Sequence, residues 1–216
     1  MNPLKTIFVA IFGTLTIIAC KNEQGKSNLE KSDHEDTSKA AHSNEEIQKV
    51  IFQKTLTLQN ISFDIKTTGA GSISQLSMQT KGLELDNQDI ALVIDGQVIN
   101  AEIEDLNSDG FPEILIYTRS AGSGSYGNVI GYSVNNGKSI SQIYFPELSE
   151  NKEASIGYMG HDEFAIIETS LARRFPVYKD GDTNNNPTGG TRQIQYKMKD
   201  GEASRLFVID NISAFE

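Results

Sequence analysis

DLNSDGFPEILIYTRSAGSGSYGNVIGY, residues Asp105–Tyr132, reads as turn, strand, glycine-serine loop and strand. Asp, Asn, Ser and Gly open it as a tight turn, because short polar side chains bond their own backbone and tolerate unusual dihedrals. Glu113 to Thr118, EILIYT, is a run of branched and aromatic residues that favours a strand. Ser120-Ala-Gly-Ser-Gly-Ser-Tyr126-Gly127 follows, almost without side chains until one tyrosine, and a second strand runs from Asn128 to Val134. So few apolar side chains cannot fill a core. The stretch predicts a loop projecting from a β scaffold and exposing amides, hydroxyls and one aromatic ring, as recognition loops do.

Working outward, the β pattern persists. Leu56, Leu58, Ile61, Phe63 and Ile65 alternate, with a register change near Gln59-Asn60, and Ile73 to Met78 is another short strand. Three dipeptides carry the two-residue hairpin signal. Asp95-Gly96 lies between Ala91–Ile94 and Gln97–Ile103, and Asn136-Gly137 between Val129–Val134 and Ser139–Phe145. Asp200-Gly201 lies between Gln193–Lys199 and Arg205–Asp210. Phe164 to Thr169 and Leu171 to Tyr178 add two more strands. Many short strands separated by turn signals predict an all-β fold, a single antiparallel β-sandwich or flattened barrel.

The chain has 216 residues, a formal charge of −10 and one cysteine. That length suits one domain plus a tail, and no intramolecular disulfide is possible. An acidic balance argues against nucleic acid, which calls for a basic surface. It suits a basic partner, though it also serves solubility alone. Residues 1–19 read as a signal peptide: Lys5 gives the positive start, and an apolar run too short for a comfortable membrane span follows. It ends Ile17-Ile18-Ala19-Cys20, resembling the lipobox of bacterial lipoproteins, so Cys20 is the expected lipidation site. Residues 20–44 hold one large apolar residue, Leu29, and are expected to be a disordered tether. His34 and His42 read as solvated tether residues. Ser43 and Glu46 suggest a capping box for a short helix through Gln53. The folded domain is expected over 45–216.

Gly122-x-Gly124-x-x-Gly127 has dinucleotide-binding spacing, but a strand follows it, so no helix N-terminus would receive a pyrophosphate. Asp105-x-Asn107-x-Asp109-Gly110 begins like a calcium loop, yet Ile116 stands where the bidentate twelfth ligand belongs. Asp180-x-Asp182-x-Asn184-x-Asn186 is a second partial match, with Thr191 at its twelfth position. Asx-type turns are the simpler reading of both, with calcium in the Asp105–Glu113 or Asp180–Asn186 loop left open, so no metal ligand is assigned. His161 is the one histidine in the folded region and is expected in a loop bonded to a neighbouring strand. No nucleophile elbow and no singled-out carboxylate pair supports catalysis, so no catalytic residue and no cofactor are assigned. Arg173-Arg174 reads as a solvated strand edge, and Arg119 as bordering the loop.

The runs TRSAGSGSYG (Thr118–Gly127), GYMGHDEF (Gly157–Phe164), RRFPVYKDGDTNNNPTGG (Arg173–Gly190) and TRQIQYK (Thr191–Lys197) resemble the periplasmic inhibitors of invertebrate-type (I-type) lysozyme. The resemblance spans roughly Leu56 to Asp210. It implies an antiparallel β fold, no enzyme activity, a homodimer, and a Ser-Gly-x-Tyr loop that enters the lysozyme cleft. Carried over by position, that motif is Ser123-Gly124-Ser125-Tyr126. The lysozyme-binding loop is then Ser120, Gly122, Ser123, Gly124, Ser125 and Tyr126. With Cys20, the expected address is the cell envelope: an outer-membrane lipoprotein, held to the membrane through that lipid, facing the periplasm or the cell surface. The alternative is a surface-lipoprotein β-sandwich module that binds glycan or calcium.

Overall fold

Strand β6 (Glu113–Arg119) is buried along its whole length except for Arg119. Successive side chains of a strand point to opposite faces. Ile114 and Ile116 therefore enter one hydrophobic core while Leu115 and Tyr117 enter another. A strand with apolar residues on both faces belongs in the middle of a stack.

The structure is a computed structural model that describes residues 49–87 and 89–216. The residues read as a signal peptide and tether, Cys20 among them, lie outside the described residues. Twelve strands form three four-stranded antiparallel sheets. The first holds β1 (Val50–Leu58), β2 (Ile61–Gly69), β3 (Ile73–Lys81) and β4 (Asp89–Asp95) in that order. The second holds β5 (Gln97–Glu104), β6, β7 (Gly127–Asn135) and β8 (Ser139–Ile143). The third runs β12-β11-β10-β9, with β9 Glu163–Ile167, β10 Ser170–Pro176, β11 Thr191–Asp200 and β12 Arg205–Phe215. Among the described residues the only helical element is a 3-10 turn at Leu148–Glu150. The all-β antiparallel expectation holds, but the sheets do not close into a barrel. Instead, two sandwiches share the middle sheet. Phe63, Ile65, Leu76 and Met78 pack against its first face, and Leu171, Phe175, Tyr196 and Phe207 against its second. Glu102 ties the second and third sheets, accepting from the Tyr117 hydroxyl at 2.6 Å and from the Ile166 amide at 2.9 Å.

Turn chemistry accounts for two of the connections. Gln59-Asn60 and Asn136-Gly137 both carry two positive φ angles, as the tight turns of β1–β2 and β7–β8 require. The register change near Gln59 is therefore a hairpin. Asp95-Gly96 is not: β4 pairs with β3 and β5 with β6, so here the chain passes from the first sheet to the second. Gly96 sits at that corner with φ 94°, its amide bonded to Ser72 O at 2.6 Å. A Cβ there would stand 1.9 Å from Arg119 O, so close backbone approach explains this glycine. After Asp200 the connection runs from Gly201 to Ser204, longer than a two-residue turn, because Asp200 pairs with Arg205. Residues 50–53 belong to β1, so no helix runs through Gln53. Ser43 and Glu46, the expected capping pair, lie outside the described residues.

Glu113 opens β6 fully buried. Its carboxyl accepts from Leu106 N at 2.8 Å and pairs with Ser133 Oγ at 2.6 Å, and Ser133 Oγ in turn accepts from Arg205. Burial disfavours the charged form and raises the Glu113 pKa from 4.5 to about 7, against these hydrogen bonds. The native state thus holds this proton to higher pH than the unfolded chain. The resulting stability is fully present below pH 4.5 and is lost as pH rises through about 7. Urea denaturation across that window should show wild-type stability falling with pH, while Glu113→Gln shows a flat profile.

Candidate functional site

The loop Ser120–Tyr126 joins β6 to β7 and is held from inside and from behind. Ser120 N bonds Tyr126 O at 2.9 Å, and Ser120 Oγ accepts from Tyr126 N at 3.0 Å, closing its neck. Ser125 N bonds Gly122 O at 2.9 Å across a turn in which Ser125 has φ 45°. From behind, His161 N donates to Gly124 O at 2.8 Å and Asn184 Nδ2 donates to Ser123 O at 2.8 Å. The Tyr126 ring rests edge-on against Tyr158, with centroids 5.7 Å apart, yet stays about half exposed. The structure thus brings together all six residues the sequence assigned to the loop.

A polarity follows from these bonds. The carbonyls of Gly122, Ser123, Gly124 and Tyr126 are all taken by donors of this chain. Among the described residues no acceptor meets the N–H groups of Ala121, Gly122, Ser123 and Gly124. The tip therefore offers consecutive unpaired donors with the Ser123 and Tyr126 hydroxyls beside them, an arrangement suited to an anion. Ser120–Tyr126 contains no acidic side chain to oppose one. A groove of about 860 Å³ opens beside it, lined by Val93, Ile130, Phe145, Tyr126, Tyr158 and Arg173 among others.

The loop is mounted on a buried ion pair. Asp162 is wholly buried and accepts from Gly127 N and Arg173 Nε, each at 2.7 Å, and from the Tyr158 hydroxyl at 2.6 Å. Burial, with the bond to Asp162 next, pushes the Tyr158 pKa well above its ordinary value, so that hydroxyl remains a donor. The Arg173 guanidinium lies within 4.9–5.9 Å of the ring centres of Tyr158, Phe164, Phe175 and Phe145. This corrects the reading of Arg173-Arg174 as a solvated edge. Only Arg174 is exposed; Arg173 shares a face with Leu171 and Phe175, a period-two signal present in the sequence. His161 also differs from expectation: its Nε2 faces Asn184 Oδ1 at 3.1 Å, in another loop rather than a strand. Arg119 is the exposed last residue of β6 and supplies the carbonyl beside Gly96.

The Asp105–Glu113 loop contains Asx turns, with Asn107 accepting from Asp109 N at 3.1 Å, whereas the Asp180–Asn186 loop is gathered around Asp182 by longer-range bonds. Asp105 accepts from Asp109 N at 3.1 Å and Gly110 N at 2.9 Å, and Asp109 from Phe111 N at 2.9 Å. Asp182 accepts from Lys179 N at 2.7 Å and Thr188 N at 2.8 Å; these amide bonds lower its pKa. Among the described residues no group of three His, Cys, Asp or Glu side chains is placed to hold a metal ion. No observation in either loop points to a cation.

The comparisons with known proteins bear on the same loop. The family model described as periplasmic lysozyme inhibitor of I-type lysozyme matches residues 84–157. The match covers β6, the Ser120–Tyr126 loop and β7, a narrower span than the sequence resemblance suggested. No curated protein and no solved structure matches the chain.

Removing one member of a buried pair leaves an uncompensated charge, at a cost of about 3–5 kcal/mol. Arg173→Met should therefore lower the urea midpoint sharply, while Arg174→Met at the exposed neighbouring position should change stability by no more than about 0.5 kcal/mol.

Proposed function

We propose that this chain inhibits an I-type lysozyme by inserting the Ser120–Tyr126 loop into the enzyme's active-site cleft, protecting bacterial peptidoglycan. The observation that supports this most is the run of unpaired amide donors on exposed and half-exposed residues, with the Ser123 and Tyr126 hydroxyls, on a loop inside the matched stretch. A lysozyme cleft is concave and works on its substrate with carboxylates. A slender loop of glycine and serine fits a space that bulkier side chains would fill. Its donors meet carboxylate oxygens as acceptors, while the tied-back carbonyls keep like partial charge away from them. The formal charge of −10 adds long-range attraction to a basic target, acting mainly on the association rate.

On this reading the chain is no enzyme, and the lipid at Cys20 would hold the inhibitor at the outer membrane, near the wall it protects. That placement rests on the Ile17-Ile18-Ala19-Cys20 sequence. Cys20→Ser should move the protein from the membrane fraction to the soluble one. The homodimer rests on the family resemblance, and sedimentation at monomer mass would remove it.

Hydrogen bonds to charged groups contribute about 1.5–3 kcal/mol, so losing one weakens binding about ten- to a hundredfold. In a cell-wall lysis assay the purified protein should block the I-type enzyme in preference to chicken- and goose-type lysozymes. Ser123→Ala and Tyr126→Phe should each raise the concentration required by that factor. Inhibition indifferent to both substitutions would place the contact elsewhere, and a folded protein without effect on any lysozyme would end this reading.

A further inference from the structure

We propose that Asn184, oriented by His161, is a positioning residue for the inhibitory loop. In this role the Asp180–Gly190 segment aims the loop's amides at a carboxylate-bearing partner. The proposal rests on the inhibitor reading and names the part of the chain that sets the loop's donor pattern. Both residues lie outside the stretch 84–157 that the family model matches.

Asn184 makes two opposed bonds. Its Nδ2 donates to Ser123 O at 2.8 Å, and its Oδ1 faces His161 Nε2 at 3.1 Å. A carbonyl can only accept, so the Nδ2 end must face Ser123, and Oδ1 is left to accept from His161. His161 must then carry hydrogen on Nε2. The same residue's backbone N–H donates to Gly124 O, so one histidine–asparagine unit captures two successive tip carbonyls. Gly160 lets the turn come this close: with φ 91°, it lies where a Cβ would stand 2.0 Å from Gly124 O.

The segment carrying Asn184 is itself braced. The Tyr178 hydroxyl donates to Asn184 O at 2.9 Å, and the His161 ring stacks on Tyr178 with centroids 6.4 Å apart. Asp182 gathers Lys179 N, Thr188 N and the Thr188 hydroxyl, and Asn186 N bonds Thr183 O at 2.9 Å. A mobile asparagine could not orient a loop. Without the Ser123 bond, the carbonyl of the peptide between Ser123 and Gly124 loses its partner, and only the bonds at Gly122 O and Gly124 O restrain that peptide from rotating. Rotation would turn a carbonyl outward and a donor inward, replacing attraction for a carboxylate by repulsion.

The test compares the purified wild-type protein with Asn184→Ala and Asn184→Asp in three measurements. These are affinity for an I-type lysozyme, thermal midpoint, and hydrogen exchange at the Ser125 and His161 amides, which bond Gly122 O and Gly124 O. Asn184→Ala should bind about tenfold more weakly, with an unchanged midpoint and faster exchange at both amides. Asn184→Asp keeps an acceptor for His161 but sets a carboxylate against Ser123 O, so it should bind more weakly than Asn184→Ala. Wild-type affinity in Asn184→Ala, while Ser123→Ala and Tyr126→Phe are weakened, would overturn the positioning role and leave the inhibitor reading intact. Unchanged exchange at both amides would also overturn it. If wild-type protein binds no lysozyme, the inhibitor reading falls, and exchange still decides whether Asn184 orders the loop.

Discussion

The Asp162–Arg173 pair, at 2.7 Å with both side chains almost wholly excluded from water, is the contact on which the loop's placement depends. Its strength as a stabiliser is modest on general grounds, because desolvating two charges consumes most of their attraction. Its geometry is what matters. Asp162 joins the first residue of β7, the aromatic turn at Tyr158 and the core face of β10 through one carboxylate. Arg173 also donates to the Tyr158 hydroxyl at 2.7 Å, so the three groups form a closed triangle. An apolar replacement would fill the same volume but would not hold Gly127 N, and the neck of the loop would lose its reference point.

Much of the fold was legible because β structure writes its burial directly into the sequence. Asn136-Gly137 announces a turn through residues that tolerate positive φ, whereas the Gln59-Asn60 turn shows in the sequence only as a register change. EILIYT announces a strand, and its unbroken apolar character reports burial on two faces, the condition of a middle sheet. Periodicity does not report which strands pair. Asp95-Gly96 has a hairpin's composition, yet its glycine serves a close approach to Arg119 O in the second sheet, a contact no local pattern encodes. Arg173 was misplaced for a different reason. Two adjacent arginines suggest solvent, and the alternation Leu171, Arg173, Phe175 was outweighed by charge. That alternation was the better guide, since an arginine stem and planar head can be buried where aromatic faces and a carboxylate receive them.

The site divides in the same way. That Ser120–Tyr126 projects and carries one aromatic ring follows from composition. Its donor polarity does not, because half of it comes from partners far along the chain: His161 on Gly124 O and Asn184 on Ser123 O. The Asp180–Asn186 run invited a calcium reading because Asp and Asn are oxygen donors at alternating positions. The fold uses them otherwise: Asp182 takes amides of its own loop, and the Asn184 side chain bridges His161 Nε2 and Ser123 O.

A loop of glycine and serine is a poor choice for tight binding unless something else orders it. Fixing one residue's backbone costs about 1–2 kcal/mol, and glycine loses the most freedom of any residue. In the proposed inhibitor role, the Ser120–Tyr126 loop left to itself would meet that cost on binding, and affinity would fall accordingly. Here the ordering occurs during folding, through the neck bonds at Ser120, the Asp162 anchor and the ties from His161 and Asn184. Slenderness and rigidity are thereby separated: the loop's own residues keep it narrow, and residues outside it keep it still. That division explains why a tip with almost no side chains needs a buried ion pair and a braced neighbouring loop behind it.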